Sequence, residues 1–142
     1  MKINIVGGGP AGLYFAILMK AADANHEITL YERTPSDVTW GWGVVFSDKT
    51  LGYLEGSDAI VHSRLQDKLV NWTDVVMLYQ GGEVRVHGNP FSSIARIGIL
   101  QTLQERCEEL GVTMHFGRTI VDIAERRDCD LLSGADGLSS LV

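Results

Sequence analysis

The stretch Lys2-Ile3-Asn4-Ile5-Val6-Gly7-Gly8-Gly9-Pro10-Ala11-Gly12 decides the fold of this 142-residue chain. Residues 2–6 alternate in polarity and are rich in β-branched side chains, which predicts a short buried strand. Pro10 opens a helix that runs to Ala22, because a proline in the first turn of a helix loses no hydrogen bond. Residues 27–31 predict a second strand. The order strand, glycine turn, helix, strand predicts a βαβ unit with parallel strands and a right-handed crossover.

The glycine turn follows the pattern G-x-G-x-x-G at Gly7, Gly9 and Gly12. It stands between the predicted strand and the predicted helix, which is the context of a dinucleotide-binding turn. The first glycine allows the tight turn, the second lets a pyrophosphate approach the backbone, and the third lets the helix pack on the strand. Pro10 and Ala11 begin the helix, whose free N–H groups favour phosphates. The pattern therefore predicts a dinucleotide site.

An acidic residue stands where a dinucleotide site needs one. Glu32 lies 20 residues after Gly12, at the end of the second predicted strand, where a carboxylate can accept hydrogen bonds from a ribose. Arg33 follows it, and a cation beside this carboxylate suggests a further phosphate. The plainer interpretation is a glycine turn beside a solvated Glu-Arg pair. Spacing and element order together favour the dinucleotide.

Composition excludes several other functions. The chain carries 12 basic and 18 acidic residues, a net charge of -6, so it lacks the electrostatic footprint for nucleic acid or for an anionic membrane. Cys107 and Cys129 make no metal-binding spacing with each other or with the four histidines, and we expect no metal. Two cysteines can form at most one disulfide, which is too few for a fold held together by disulfides. We therefore expect the protein to be located in the reducing cytoplasm. Four glycines and Pro10 interrupt the uncharged segment 3–19, which disfavours a signal peptide or a membrane helix.

The remainder of the chain predicts a mixture of helices and strands. Ser47 caps a short helix through Leu54, and apolar spacing predicts a helix over 60–72. Residues 74–79 and 83–87 flank Gln80-Gly81-Gly82 and predict a hairpin. A helix begins at Ser92 or Ser93 and ends at Gly111, where a left-handed cap is expected. Three further strands are predicted at 112–116, 119–123 and 130–132.

Three motifs make the chain resemble the FAD-binding part of the group A flavoprotein monooxygenases. They are the Glu32-Arg33 pair, the helix start Arg96-Ile97-Gly98-Ile99-Leu100, which resembles the family's R-x-x-L with isoleucine in the leucine position, and the D-G motif in Asp130-Leu131-Leu132-Ser133-Gly134-Ala135-Asp136-Gly137. The resemblance implies that Arg96 contacts the flavin side of FAD. It implies that Asp136 helps to hold FAD and the nicotinamide donor. Gly43 and Val44 are the expected points where backbone approaches the isoalloxazine ring. The structural alternatives are that Arg96 is a solvated arginine, that Asp136 is an ordinary turn aspartate, and that the segment containing Gly43 and Val44 is a core loop.

Within that family, the segments 7–20 and 40–48 are most similar to enzymes that hydroxylate aromatic CoA thioesters. The implied function is hydroxylation of an aromatic substrate with FAD, NADH or NADPH, and O₂. No residue receives a catalytic role, because the cofactor carries the chemistry. Two alternatives stay open: a non-catalytic FAD-binding fragment, and the Rossmann domain of an NAD-dependent dehydrogenase. An absorption spectrum of the purified protein distinguishes flavin from nicotinamide binding.

The expected fold class is α/β. It comprises a Rossmann-like, glutathione-reductase-type parallel sheet and the beginnings of an antiparallel substrate sheet. Residues 1–142 are expected to form one FAD/NAD(P)-binding domain, truncated relative to the full-length enzymes, with residues 57–90 partly contributing a substrate-sheet hairpin. The open edge of that hairpin predicts a homodimer.

Overall fold

The structure is a computed structural model that describes residues 1–88 and 90–142. Asn89, at the end of the segment predicted to hold the hairpin, lies outside the described residues. In chain order the elements are β1 (Lys2–Val6), α1 (Pro10–Ala22), β2 (Glu27–Tyr31), β3 (Gly43–Ser47), α2 (Asp48–Ser57), α3 (Ala59–Gln66), β4 (Val70–Trp72), β5 (Val75–Tyr79), β6 (Gly82–Val86), β7 (Phe91–Ala95), α4 (Arg96–Glu109), β8 (Thr113–His115), a 3-10 helix (Ile123–Arg126), β9 (Leu131–Gly134) and a second 3-10 helix (Gly137–Ser139).

The chain divides into two compact units. The first is discontinuous and comprises Met1–Gly41 and Ile97–Val142; the second comprises Trp42–Arg96. In the part of the chain that the structure describes, no helix is both long enough and apolar enough to cross a membrane.

The first unit is built on a four-stranded parallel sheet in the order β8-β2-β1-β9. Ile5 in β1 pairs with Leu30 in β2 and with Ser133 in β9. Residues 3–6 of β1 are all buried, as expected for a central strand covered on both faces. The predicted βαβ unit and α/β class are therefore confirmed.

Helix α1 packs through an apolar stripe. Leu13, Ala16 and Ile17 are fully buried. The thiol of Cys107 in α4 donates a hydrogen bond to the Leu13 carbonyl oxygen at 3.4 Å, which joins α4 to α1. Helix α4 ends where the sequence predicts, because Gly111 adopts the left-handed conformation (φ 74°).

The second unit holds a three-stranded antiparallel sheet in the order β3-β7-β4 and a separate hairpin of β5 and β6. Ser47 caps α2 by accepting a hydrogen bond from the Thr50 N–H. Asp58 caps α3 by accepting from the N–H groups of Ile60 and Val61. The predicted hairpin is confirmed by the pairing of Val75 with Val86.

Three predicted elements are wrong. The helix over 60–72 ends at Gln66, and Val70–Trp72 forms a strand beside β7. Ser92 and Ser93 do not begin a helix, since they lie within β7 and the Ser92 hydroxyl donates to Asn71 Oδ1 at 2.6 Å. Residues 119–123 form no strand, because Asp122 caps the Ala124 N–H and turns the chain into a 3-10 helix. In the first two cases a strand partner distant in the chain decided the conformation, and in the third a local cap did.

Candidate dinucleotide-binding site

The three glycines of the turn have different surroundings. Gly7 has φ 110°, and a Cβ placed there would lie 2.2 Å from the Ala135 carbonyl oxygen. A Cβ at Gly12 would lie 2.0 Å from the Gly7 carbonyl oxygen. At Gly9, by contrast, no atom of the described residues lies within 4 Å of the Cβ position. Gly7 and Gly12 are therefore required by packing, whereas Gly9 leaves open space beside the backbone.

The amino end of α1 is equipped to bind an anion. Gly9 is the N-cap residue, Pro10 occupies the first turn, and no side chain among the described residues caps this end. The first intrahelical bond runs from the Leu13 N–H to the Gly9 carbonyl oxygen at 3.1 Å. The first turn holds no acidic residue and Ala11 is exposed. Uncapped N–H groups and the positive end of the helix dipole thus meet at Gly9.

The carboxylate of Glu32 is fixed by two backbone groups. Oε2 accepts a hydrogen bond from the Gly8 N–H at 2.6 Å, and Oε1 accepts from the Thr34 N–H at 2.7 Å. The side chain is half-buried. Each carboxylate oxygen retains acceptor capacity after one hydrogen bond, so Glu32 can also accept from a ribose hydroxyl. It fastens the glycine turn to the end of β2 and leaves an acceptor beside it.

The carboxyl end of β9 adjoins the same turn. The Ala135 N–H donates to the Val6 carbonyl oxygen at 2.7 Å, and Asp136 follows it directly. The Asp136 carboxylate accepts hydrogen bonds from the Ser140 hydroxyl and from the Leu141 N–H at 2.7 Å. Desolvation opposes ionisation of this group. The two hydrogen bonds and the nearby Arg33 charge together outweigh it and hold the pKa of Asp136 below its usual value.

The residues of the first unit fit a dinucleotide. Open backbone at Gly9, an uncapped helix end and the Glu32 carboxylate converge at the carboxyl ends of β1 and β2. In doubly wound folds ligands bind at this edge of the sheet. Arg33 is exposed beside it.

The other three predicted residues lie together in the second unit. Gly43 in β3 pairs with Ala95 in β7, and a Cβ at Gly43 would lie 3.0 Å from the Ile94 carbonyl oxygen. The Arg96 N–H donates to the Trp42 carbonyl oxygen at 3.1 Å. Arg96 is the first residue of α4, and its Nε is buried without a hydrogen-bond partner among the described residues. Val44, which follows Gly43, is half-buried.

Sequence reasoning missed two residues of the site. Gly8 supplies the N–H that binds Glu32, and a Cβ there would lie 2.7 Å from the Glu32 Cβ, so a third glycine is required. The run of three glycines was the available signal. Ala135 packs against Gly7, a contact that no local pattern indicates. Among the described residues, no group of histidine, cysteine and acidic side chains could hold a metal ion.

Residues 5–37, which contain the glycine turn and Glu32, match the family model of an NAD(P)-binding Rossmann-like domain. Over 140 residues, 99% of the chain, the sequence is 37% identical to a salicyloyl-CoA 5-hydroxylase of Streptomyces sp.. The match covers 27% of that enzyme.

Solved structures share the fold. A variant of 2-methyl-3-hydroxypyridine-5-carboxylic acid oxygenase superposes with a TM-score of 0.82 at 23% identity, covering 99% of this chain and 40% of its own. CtdE in complex with FAD superposes with a TM-score of 0.67 at 18% identity, covering 86% of this chain and 31% of its own.

These matches confirm the resemblance that the motifs predict: the chain is similar, over nearly its whole length, to part of the class A FAD-dependent aromatic monooxygenases. It spans only about a quarter of the length of the salicyloyl-CoA 5-hydroxylase.

Proposed function

We propose that this chain is the FAD-binding part of a flavoprotein monooxygenase that hydroxylates an aromatic substrate. The observation that carries the proposal is the open backbone at Gly9 on the uncapped end of α1, with the Glu32 carboxylate fixed beside it. Together these groups offer donors for a pyrophosphate and an acceptor for a ribose. The fold shared with CtdE, which was solved in complex with FAD, supports FAD over other dinucleotides.

Each residue of the first unit has a distinct role in this proposal. Gly9 and the first N–H groups of α1 bind the pyrophosphate, while Gly7 and Gly12 let the turn and the helix approach closely. Glu32 accepts from the adenosine ribose. Arg33 adds positive charge beside the phosphates. The Asp136 carboxylate orders the chain after β9 by accepting from the Leu141 N–H, and this hydrogen bond helps to lower its pKa.

In the second unit, we propose that Gly43, Val44 and Arg96 serve the flavin ring. Gly43 keeps the backbone of β3 free of a side chain, and Val44 follows on the same strand. The buried Nε of Arg96 lacks an acceptor, which an electron-rich ligand atom would supply. The family resemblance supports these roles.

When bound, FAD supplies the redox chemistry. The overall reaction balances as aromatic substrate, O₂, NAD(P)H and a proton giving hydroxylated product, water and NAD(P)⁺. We propose an aromatic CoA thioester as the substrate class, supported by the name of the Streptomyces relative. We also propose a cytoplasmic location, since Cys107 and Cys129 are both free thiols.

Flavin release and one pair of variants test the proposal. Denaturing the full-length protein should release FAD and no nicotinamide nucleotide. Glu32→Ala removes a charge-assisted acceptor, and FAD affinity should fall about tenfold to a hundredfold. Glu27→Ala removes the same charge from an exposed position at the opposite end of β2 and should leave the dissociation constant unchanged.

Three results would contradict the proposal. No released flavin together with no uptake of added FAD would exclude a flavoprotein. Tight binding of NAD in place of FAD would favour the dehydrogenase alternative. An unchanged FAD dissociation constant in Glu32→Ala would show that the adenosine half binds elsewhere.

A further inference from the structure

A cleft that the proposed FAD site does not use lies in the first unit, at the carboxyl ends of β2 and β8. We call it the Tyr31 cleft. It has a volume of about 450 Å³ and is lined by Tyr31, Met114, His115, Phe116, Arg118 and Arg126.

The Tyr31 cleft and the glycine turn involve opposite faces of the sheet. Leu30 lies beside the turn, because a Cβ at Gly8 would approach Leu30 Cδ2 to 3.1 Å. Tyr31 is the next residue of β2, and successive side chains of a strand point to opposite faces. His115 pairs with Tyr31 in β8 and shares its face. The side chains of Tyr31 and His115 therefore lie on the face away from Leu30 and the glycine turn. The two sites are neighbours at the strand ends, since the Arg118 N–H donates to the Glu32 carbonyl oxygen at 2.8 Å.

The Tyr31 cleft carries positive charge within an acidic chain. Arg118 is exposed, and its guanidinium has no partner among the described side chains. The Arg126 guanidinium lies 4.7 Å from the centroid of the Tyr31 ring. It donates through Nη1 to the Glu125 carbonyl oxygen at 3.0 Å, and Nη2 lies 3.6 Å from Glu125 Oε2. Among the described residues, the cleft is thus lined by two arginines and by no acidic residue, and Glu125 is paired with Arg126 alone.

One donor in this cluster has no acceptor. Arg126 Nε is buried and has no hydrogen-bond partner among the described residues. A buried donor that is left unpaired costs free energy. Guanidinium groups bind phosphate oxygens through geometrically matched donors. A phosphate in the cleft would give both lining guanidinium groups, those of Arg118 and Arg126, an anionic acceptor.

The cleft also offers an aromatic surface. The rings of Tyr31 and His115 stack with centroids 5.2 Å apart and planes inclined by 20°. His115 is exposed, so a further flat ring can extend the stack. Nucleic bases stack on such rings with little dependence on which base is present.

We propose that the Tyr31 cleft binds a phosphorylated nucleoside, with the base on the Tyr31–His115 stack and a phosphate at Arg118 and Arg126. Coenzyme A and NADPH both present this chemistry, since each carries an adenosine with a ribose phosphomonoester. The choice between these two sources rests on the proposed function, whereas the binding site itself does not.

The test titrates the full-length, FAD-saturated protein with adenosine 3′,5′-bisphosphate by calorimetry. We expect binding with FAD retained, and a fall in affinity of about tenfold in Arg118→Ala. Arg127→Ala is the matched control, because Arg127 is an exposed arginine outside the cleft and its loss changes the net charge equally. Arg126→Lys keeps the charge but removes Nε and should also weaken binding. FAD absorbance reports whether each variant is folded.

Paired ligands identify the source. Stronger binding of coenzyme A than of dephospho-coenzyme A assigns the cleft to the thioester, and stronger binding of NADPH than of NADH assigns it to the electron donor. The proposal is overturned by displacement of FAD, by no binding at about 1 mM ligand, or by equal losses in Arg118→Ala and Arg127→Ala. If the protein binds no FAD, the proposed function is wrong. The same titration then still tests whether the Tyr31 cleft binds adenosine 3′,5′-bisphosphate.

Discussion

Gly9 and Gly12 lie three residues apart, yet a methyl group added at each position would have very different neighbours. At Gly12 the methyl group would meet the Gly7 carbonyl oxygen at 2.0 Å, a contact between two parts of the backbone that cannot yield easily. At Gly9 the methyl group would enter open space, and the φ of −72° suits any residue. Stability and ligand binding are therefore separable within a single turn.

We expect Gly9→Ala to fold normally and to lose FAD affinity by about tenfold or more, because the new methyl group occupies the approach of the pyrophosphate. Its free energy of unfolding should change by less than about 1 kcal/mol, because two effects oppose each other. Alanine is a poorer N-cap residue than glycine, which destabilises the fold, but it also makes the unfolded chain less flexible, which stabilises the fold. Gly12→Ala should destabilise by about 1–3 kcal/mol. Urea unfolding and FAD titration measure the two effects. Unchanged FAD affinity in Gly9→Ala would place the pyrophosphate elsewhere.

The two cysteines should differ in reactivity. Cys107 is fully buried, and burial raises the pKa of its thiol to about 12. Cys129 is half-buried. In native protein at about pH 8 we expect a thiol reagent to modify Cys129 first, because only an accessible thiolate reacts. Both should react in urea, and Cys129→Ser should abolish the native reaction. Simultaneous modification of both thiols in native protein would contradict the burial of Cys107.

The raised pKa of Cys107 also fixes the sign of a pH effect. The unfolded thiol titrates near 9.0, whereas the folded thiol stays neutral until about 12. The stabilising contribution of the neutral thiol is therefore complete below pH 9.0 and is lost as the pH rises toward 12.

At the scale of elements, the hairpin of β5 and β6 is unusual in exposing apolar side chains. Leu78 is 81% exposed and Tyr79 is 70% exposed. Among the described residues no third strand pairs with this hairpin, so the outward-facing backbone N–H and C=O groups of both strands have no strand partner. Such edges favour pairing between chains.

We expect this 142-residue chain to self-associate through the hairpin, and Leu78→Lys to reduce that association by placing a charge on the apolar surface. Gln101→Lys adds the same charge on an exposed position of α4 and should have little effect. Sedimentation velocity over a range of concentrations measures both variants. If both variants associate equally, the interface does not lie at the hairpin.

At the scale of the whole molecule, the chain covers 27% of the Streptomyces enzyme and 40% of the pyridine-carboxylate oxygenase. Hydroxylation by a bound flavin needs a pocket that excludes water. We therefore expect the 142-residue chain alone to form no hydroxylated product. With FAD, NAD(P)H and O₂ it should at most release hydrogen peroxide.

Incubation with a panel of aromatic CoA thioesters, with product analysis by chromatography and a peroxide assay, measures both outcomes. The full-length protein is the matched control, and under the proposed function it should convert a suitable thioester with little peroxide. Stoichiometric product from the short chain would contradict the prediction.

Local chemistry in the sequence was enough to predict the first 32 residues. Alternation in residues 2–6, a proline in the first turn of α1 and glycines at fixed spacing each act on neighbouring backbone, so the βαβ unit and the position of Glu32 could be read directly. Gly111 ended α4 for the same reason. The hairpin at residues 75–86 likewise depends on a turn between adjacent strands.

Only the tertiary structure decided the elements whose partners are far away in the chain. Val70 became a strand residue because it pairs with Ser93, and Ser93 also pairs with Val45. The Tyr31 cleft arose because β2 pairs with β8 and because the Arg126 segment lies against Tyr31. A short apolar run is compatible with either a helix or a strand, and a distant partner selects between them. No local pattern could place Arg126 on Tyr31, since the contact joins residues 95 positions apart.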